Sequence, residues 1–260
     1  MTDTTDAERT PFPGWPPDGP AFLAELADDN TREFWTANAH RFRAALLEPM
    51  QALAGELAGE FGRVRVFRPY VDRRFRPRAE PYRTDAGLTA SDPGGTPYAI
   101  VLSATGLAVQ VGYQLLDAGQ LRRYRAALNG PPGTELKATL DALQFVGLVP
   151  DGVPALVGRP RGCPPDHPLL HLLRLRGLHV DRSWPAGAWL GTGDVVLQRV
   201  RGAWRAARPL AEWLDVHVGP RDEPGARPIR PGSHRTADED DATADHESAH
   251  STPTGGGSSV

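Results

Sequence analysis

The chain is nearly without cysteine and lysine. Its single cysteine, Cys163, excludes an intrachain disulfide and fits a reducing compartment, so a cytoplasmic location is expected. One lysine, Lys137, stands against twenty-eight arginines. That skew has the look of biased codon usage, so an isolated arginine says only that a cation is wanted, and arguments from guanidinium geometry weigh less than usual. No run of about 18 apolar residues occurs, which excludes a membrane-spanning helix. The opening "MTDTTDAERTPFPGWPPDG" has neither a basic stretch nor an apolar one, so no signal peptide is expected. Also missing are a P-loop, a G-x-G-x-x-G behind a strand, a G-x-S-x-G and a paired-carboxylate motif, which argues against NTPases, Rossmann enzymes and serine hydrolases. Aromatics make up only 7% of the chain, but a hydrophobic content of 40% over 260 residues still provides for one sizeable core.

Charge is unevenly spread. Residues 236–260 hold six acids and neither Lys nor Arg, so the net −3 of the chain becomes +3 for residues 1–235. This is mildly basic and far below a typical nucleic-acid binder, which makes nucleic acid the less favoured partner. From Gly219 onward, acids, Ser, Thr, Gly and Pro replace nearly all large apolar residues, so residues 219–260 read as a disordered acidic tail. Residues 1–11 read as a flexible arm, and residues 12–218 as a single domain.

Within that domain, "AFLAELADD" (21–29) has the spacing of a short amphipathic helix. Residues 30–62 form a longer helical stretch, with Asn30 as N-cap, Glu33 completing a capping box, Pro49 opening a second helix or marking a kink, and Gly62 ending it. "RVRVFRPYV" (63–71) alternates as a strand with one wet face, and Pro69 marks an edge. Two β-branched-rich runs in 97–116 flank "ATG" and predict a β-hairpin. Helices are expected at 118–129 and 133–147, parted by Gly130, Pro131 and Pro132. A short helix at 168–177 with Asp166 as its cap, a strand at 178–184, and a long helix at 192–218 bent near Pro209 complete the reading. The fold class is α+β: a small antiparallel sheet with a central β-hairpin, covered by helices from both ends of the chain.

The most unusual stretch is "VDRRFRPRAEPYRT" (71–84), with five arginines and two acids around Phe75, Tyr82, Pro77 and Pro81. If the strand runs on to residue 74, Arg68, Tyr70, Asp72 and Arg74 share one face, while Phe67, Val71 and Phe75 point to the core. Such a face suits a phosphate or carboxylate, with Arg68, Arg74 and Arg83 as cations, Tyr70 and Tyr82 as a frame, and Asp72 as orienter or base. Arg76 and Arg78 would add positive potential. Arg32, in the first turn of its helix, is set to join this group. The competing readings are an ion-pair network in which Asp72 and Glu80 neutralise the arginines, and a basic strip for a nucleic acid or a partner protein. His167 and His171 stand four apart but lack an HExxH frame, and Pro168 starts a helix there, so no metal is expected. Cys163 has nothing to activate it. Gly112 would let a ligand or a backbone approach closely, or mark a bulge. The residues imply no cofactor, and they leave reaction and oligomeric state unassigned.

These segments together resemble a bacterial family known as domain of unknown function 2461. Its "FL–L–NN–REWF–N" stretch is matched by Phe22, Leu23, Leu26, Asn30, Arg32, Glu33, Phe34, Trp35 and Asn38. Its "R-Y-D-RFS-K-SPYKT" signature is matched by Arg68, Tyr70, Asp72, Arg74, Phe75, Pro81, Tyr82, Arg83 and Thr84. Its "DHP–LLR-K" piece is matched by Asp166, His167, Pro168, Leu172, Leu173, Arg174 and Arg176. Where the family carries "SKDK", this chain has Arg76, Pro77, Arg78 and Ala79, and Asp28 or Asp29 stands at a family Asn. The resemblance spans roughly residues 12–217, implies one domain that excludes the tail, and brings no reaction with it.

Overall fold

The computed structural model describes residues 11–71, 74, 79–91, 94–153 and 158–221. Helix α1 (Asp18–Asp28) is followed by α2 (Arg32–Phe42), a π-helical turn (Arg43–Leu47) and α3 (Glu48–Phe61). Pro49 lies in the first turn of α3, where its missing N–H would have had no intrahelical partner, and Gly62 takes φ +79° to end the run. The N-cap of α2 is Thr31 and not Asn30: the Phe34 N–H donates to Thr31 Oγ1 at 3.2 Å. Asn30 is thereby free for a tertiary role.

The fold is α+β, with an antiparallel sheet. Strands β1 (Arg63–Val66), β2 (Asp85–Ser91), β3 (Pro97–Ser103), β4 (Gly106–Tyr113), β5 (Val149–Asp151) and β6 (Leu178–Pro185) lie in the order β1-β2-β3-β4-β6-β5. The expected hairpin is β3–β4, closed by Ala104 and Thr105. Helices α4 (Ala118–Leu128) and α5 (Pro131–Phe145) separate β4 from β5; Pro131 and Pro132 open α5 and do not merely interrupt. The helix expected at 168–177 shrinks to α6 (Leu170–Leu173), which Asp166 does not cap. The long C-terminal helix divides into α7 (Gly193–Ala206) and α8 (Arg208–His217), with Pro209 in the first turn of α8.

Register sorts the strand side chains into two faces. Leu88, Ile100, Leu102, Val109, Val111 and Val180 face the core, where α1, α3, α7 and α8 pack against the sheet. That core runs from Phe12 to Val218 and contains the fully buried Trp15, Trp204, Tyr98, Tyr124 and Phe22. Each such side chain contributes about 1.5–3 kcal/mol by leaving water. The opposite face carries Arg65, Thr89, Ala99, Gln110 and Asp181 in one cross-strand row. Ala99 is buried there, apart from the core cluster.

Residues 219–221, expected in the tail, are hydrogen-bonded to the body of the protein. Gln120 Nε2 donates to the Gly219 carbonyl (2.8 Å) and Arg221 to the Leu115 carbonyl (2.9 Å). The rest of the expected tail and residues 1–10 lie outside the described residues. No described helix is long and apolar enough to cross a membrane.

Candidate functional site

Between β1 and β2 the described residues are 67–71, 74 and 79–84. The strand ends at Val66, not at residue 74, and only the Phe67 N–H continues the pairing, to the Gly87 carbonyl at 2.8 Å. Strand alternation therefore does not set the directions of Arg68, Tyr70 and Arg74. Phe67 also departs from the expected core orientation. Its ring lies over Gly87, where an added Cβ would come within 2.8 Å of it.

The segment is closed by an isolated bridge between Tyr70 and Tyr82. The Val71 N–H donates to the Pro81 carbonyl (2.9 Å) and the Arg83 N–H to the Pro69 carbonyl (2.8 Å). Both prolines act as acceptors, the one backbone role open to them. In this pattern Tyr70 and Tyr82 are a non-hydrogen-bonded pair, so their side chains stand close and their own amides point outward. Asn30 takes up the outward edge of Tyr82. Its Oδ1 accepts the Tyr82 N–H at 3.0 Å and its Nδ2 donates to the Tyr82 carbonyl at 3.0 Å and to Glu80 Oε2 at 3.2 Å. One side-chain amide thus imitates a neighbouring strand and fastens the segment to the α1–α2 junction.

This clasp builds an aromatic platform. The rings of Tyr82 and Trp35 stack with centroids 4.4 Å apart and planes at 9°. Both are buried. Tyr70 leans on Trp35 (5.8 Å) and on Tyr82 (5.6 Å) yet stays 60% exposed. Arg32 precedes Trp35 by three residues on α2, the spacing of one helix face, and is exposed.

The expected cations have different surroundings. Arg83 is committed to structure: its Nε donates to Asp85 Oδ1 at 2.8 Å and its guanidinium lies 4.9 Å from the Phe67 ring centroid. Arg68 is exposed and no described residue hydrogen-bonds or ion-pairs with it. Arg74 stands exposed in a turn. Asp72, Phe75, Arg76 and Arg78 lie outside the described residues. A groove of about 560 Å³ runs between Pro13 and α3, lined by Glu48, Gln51 and Glu56 among others, and none of the expected site residues lines it.

A second constellation escapes the sequence reading. His179, Asp181 and Asp151 come together on the sheet face away from the core, beside Gln110. His179 and Asp181 alternate on β6 and were readable as neighbours. Asp151 reaches them only because β5 pairs with β6, and nothing in "LVPDGV" signals that. His167 uses its Nδ1 to accept the Leu169 N–H at 3.1 Å.

No similar protein was found among the curated proteins or the solved structures. A family model described as conserved hypothetical protein (DUF2461) matches residues 19–213, a span that holds the Asn30 clasp, the aromatic platform and every strand, and the chain belongs to that family.

Proposed function

We propose that this is a cytoplasmic small-molecule-binding protein whose ligand joins a planar ring to a phosphate or carboxylate, and that it binds at the platform of Trp35, Tyr70 and Tyr82. The observation that carries the reading is the exposure of Tyr70, a ring left 60% open although it rests on a rigid, buried Trp35–Tyr82 stack. A ligand ring covering it would gain stacking of about 1–3 kcal/mol, the scale measured for bases on aromatic side chains. The anion falls to Arg68 and Arg32, whose guanidiniums match the forked oxygens of phosphate and carboxylate. Arg83 serves instead by fixing Phe67 and Asp85, and so the return of the segment into β2.

The test is calorimetric titration and thermal shift with AMP as ring-bearing anion and inorganic phosphate as anion alone. AMP raises the melting temperature of the parent. Tyr70→Ala and Arg68→Ala each weaken AMP binding about tenfold, while phosphate alone binds much more weakly to all three proteins. Equal AMP responses in parent and variants, or no response across a panel of phosphorylated and carboxylated aromatic compounds, overturn the reading.

A further inference from the structure

On β6, His179 and Asp181 point to the same side of the sheet, and register places Asp151 opposite His179 and Gln110 opposite Asp181. The His179 side chain is 6% exposed, and its Nε2 lies 3.0 Å from Asp181 Oδ2 and 3.9 Å from Asp151 Oδ2. These three ligand atoms all fall within 4.8 Å of one another. The other oxygen of each carboxylate is already held: Gln110 Nε2 donates to Asp181 Oδ1 at 2.9 Å, and the Gly152 N–H donates to Asp151 Oδ1 at 2.7 Å. Each acid is thus oriented by a donor on its outer oxygen and turns its inner oxygen to the imidazole. Carboxylates oriented by outer-shell partners are a feature of metal sites, although His179 Nδ1, the ring nitrogen away from the acids, is buried without such a partner. Gln110 adds an independent sign. It is 5% exposed, its amide nitrogen is fixed by Asp181, and its Oε1 is buried without a hydrogen-bond partner. A buried acceptor left without a donor, on the very side chain that holds Asp181, calls for an explanation.

A plain His179–Asp181 hydrogen bond accounts for the 3.0 Å contact, but not for Asp151 drawn toward the same nitrogen or for the orphaned amide oxygen. The geometry points to a site for a divalent transition-metal ion, with His179 Nε2, Asp181 Oδ2 and Asp151 Oδ2 as ligands. Ligand bonds of about 2.0–2.2 Å put neighbouring donor atoms roughly 3–4 Å apart, the range in which Nε2 stands from both carboxylates. One imidazole with two carboxylates suits Zn²⁺ or Mn²⁺, and leaves the remaining positions to water on the side of the exposed Asp151. The site is independent of the aromatic platform, which rests on other residues.

The full chain, stripped with a chelator, is titrated with ZnCl₂ by calorimetry. Because the tail contains His234, His246 and His250, a version with those three replaced by alanine is titrated alongside. The expected result is one saturable site in both, weakened at least tenfold by Asp151→Asn and unchanged by Asp141→Asn, an exposed acid paired with Lys137. Asp151 is 63% exposed, so Asp151→Asn melts with the parent when metal is absent. A measurement that needs no variant is Mn²⁺ broadening of amide resonances, expected at residues 110–112, 150–152 and 178–182. No saturable zinc binding, equal affinity in Asp151→Asn, or broadening confined to the tail would overturn the proposal.

Discussion

At the scale of single residues, Asn30 does the most unusual work. A sequence reading assigns it to a helix end, since Asn is a preferred N-cap and Glu33 follows three residues on. Thr31 takes that role, and Asn30 hydrogen-bonds the Tyr82 backbone from 52 positions away. The tertiary contact wins because the Tyr82 amide faces outward from its bridge and has to find a partner. Asn30→Ala removes three hydrogen bonds and strands a part-buried N–H. It is expected to destabilise the protein by about 1–3 kcal/mol, measured as a lower urea midpoint with unchanged slope. A midpoint within error of the parent would mean that Tyr82 is held by ring stacking alone.

At the scale of elements, the sequence was readable where local chemistry and environment agree. The β3–β4 hairpin has β-branched runs around a glycine-containing turn, and α3 has a proline at its start and a glycine past its end. Strand β2 was not readable, because "DAGLTAS" has little β propensity. It is a strand because β1 and β3 pair with it on both sides. Its small residues have a purpose at Gly87: a Cβ there would lie 2.2 Å from the Ile100 carbonyl oxygen and against the Phe67 ring. Gly87→Ala should cost about 1–3 kcal/mol and loosen Phe67 and Arg83, readable as faster amide exchange in residues 82–88. Full stability in this variant would show that Phe67 does not hold the segment down. The candidate site was half legible. Tyr70, Tyr82, Arg68 and Arg32 were picked out by residue type. The platform of the two tyrosines depends on a bridge between two proline-flanked positions and on Trp35, which the sequence presents as one more core aromatic.

At the scale of the whole molecule, arginines fasten the helical layer. Arg41 joins α2 to α1 through Asp18 and Glu25, and Glu60 on α3 receives Arg205 from α7. Hydrogen bonds from these arginines, ahead of their charge, hold the carboxyls of Asp18, Glu25 and Glu60 below the usual carboxylate range. Carboxyls lowered in the folded state contribute stability that is fully present above their unfolded values, near pH 4, and that is lost as pH falls through the folded ones. The melting temperature should therefore hold steady from pH 7 to about pH 5 and fall below it. Arg41→Ala should lower the plateau and flatten the acid limb. An acid limb of the same slope in this variant would place the proton uptake elsewhere.

The strand order carries a consequence for synthesis on the ribosome. Strand β4 has β3 on one edge as soon as it emerges, but its other edge waits for β6, and residues 114–185 must be made first. At about 5–20 residues per second that delay is on the order of 4–14 s. Throughout it the nascent chain displays an apolar strand, with Leu107, Val109 and Val111, whose outer edge has no partner of its own. This interval, more than anything in the finished fold, is when the protein is most open to pairing with the wrong strand.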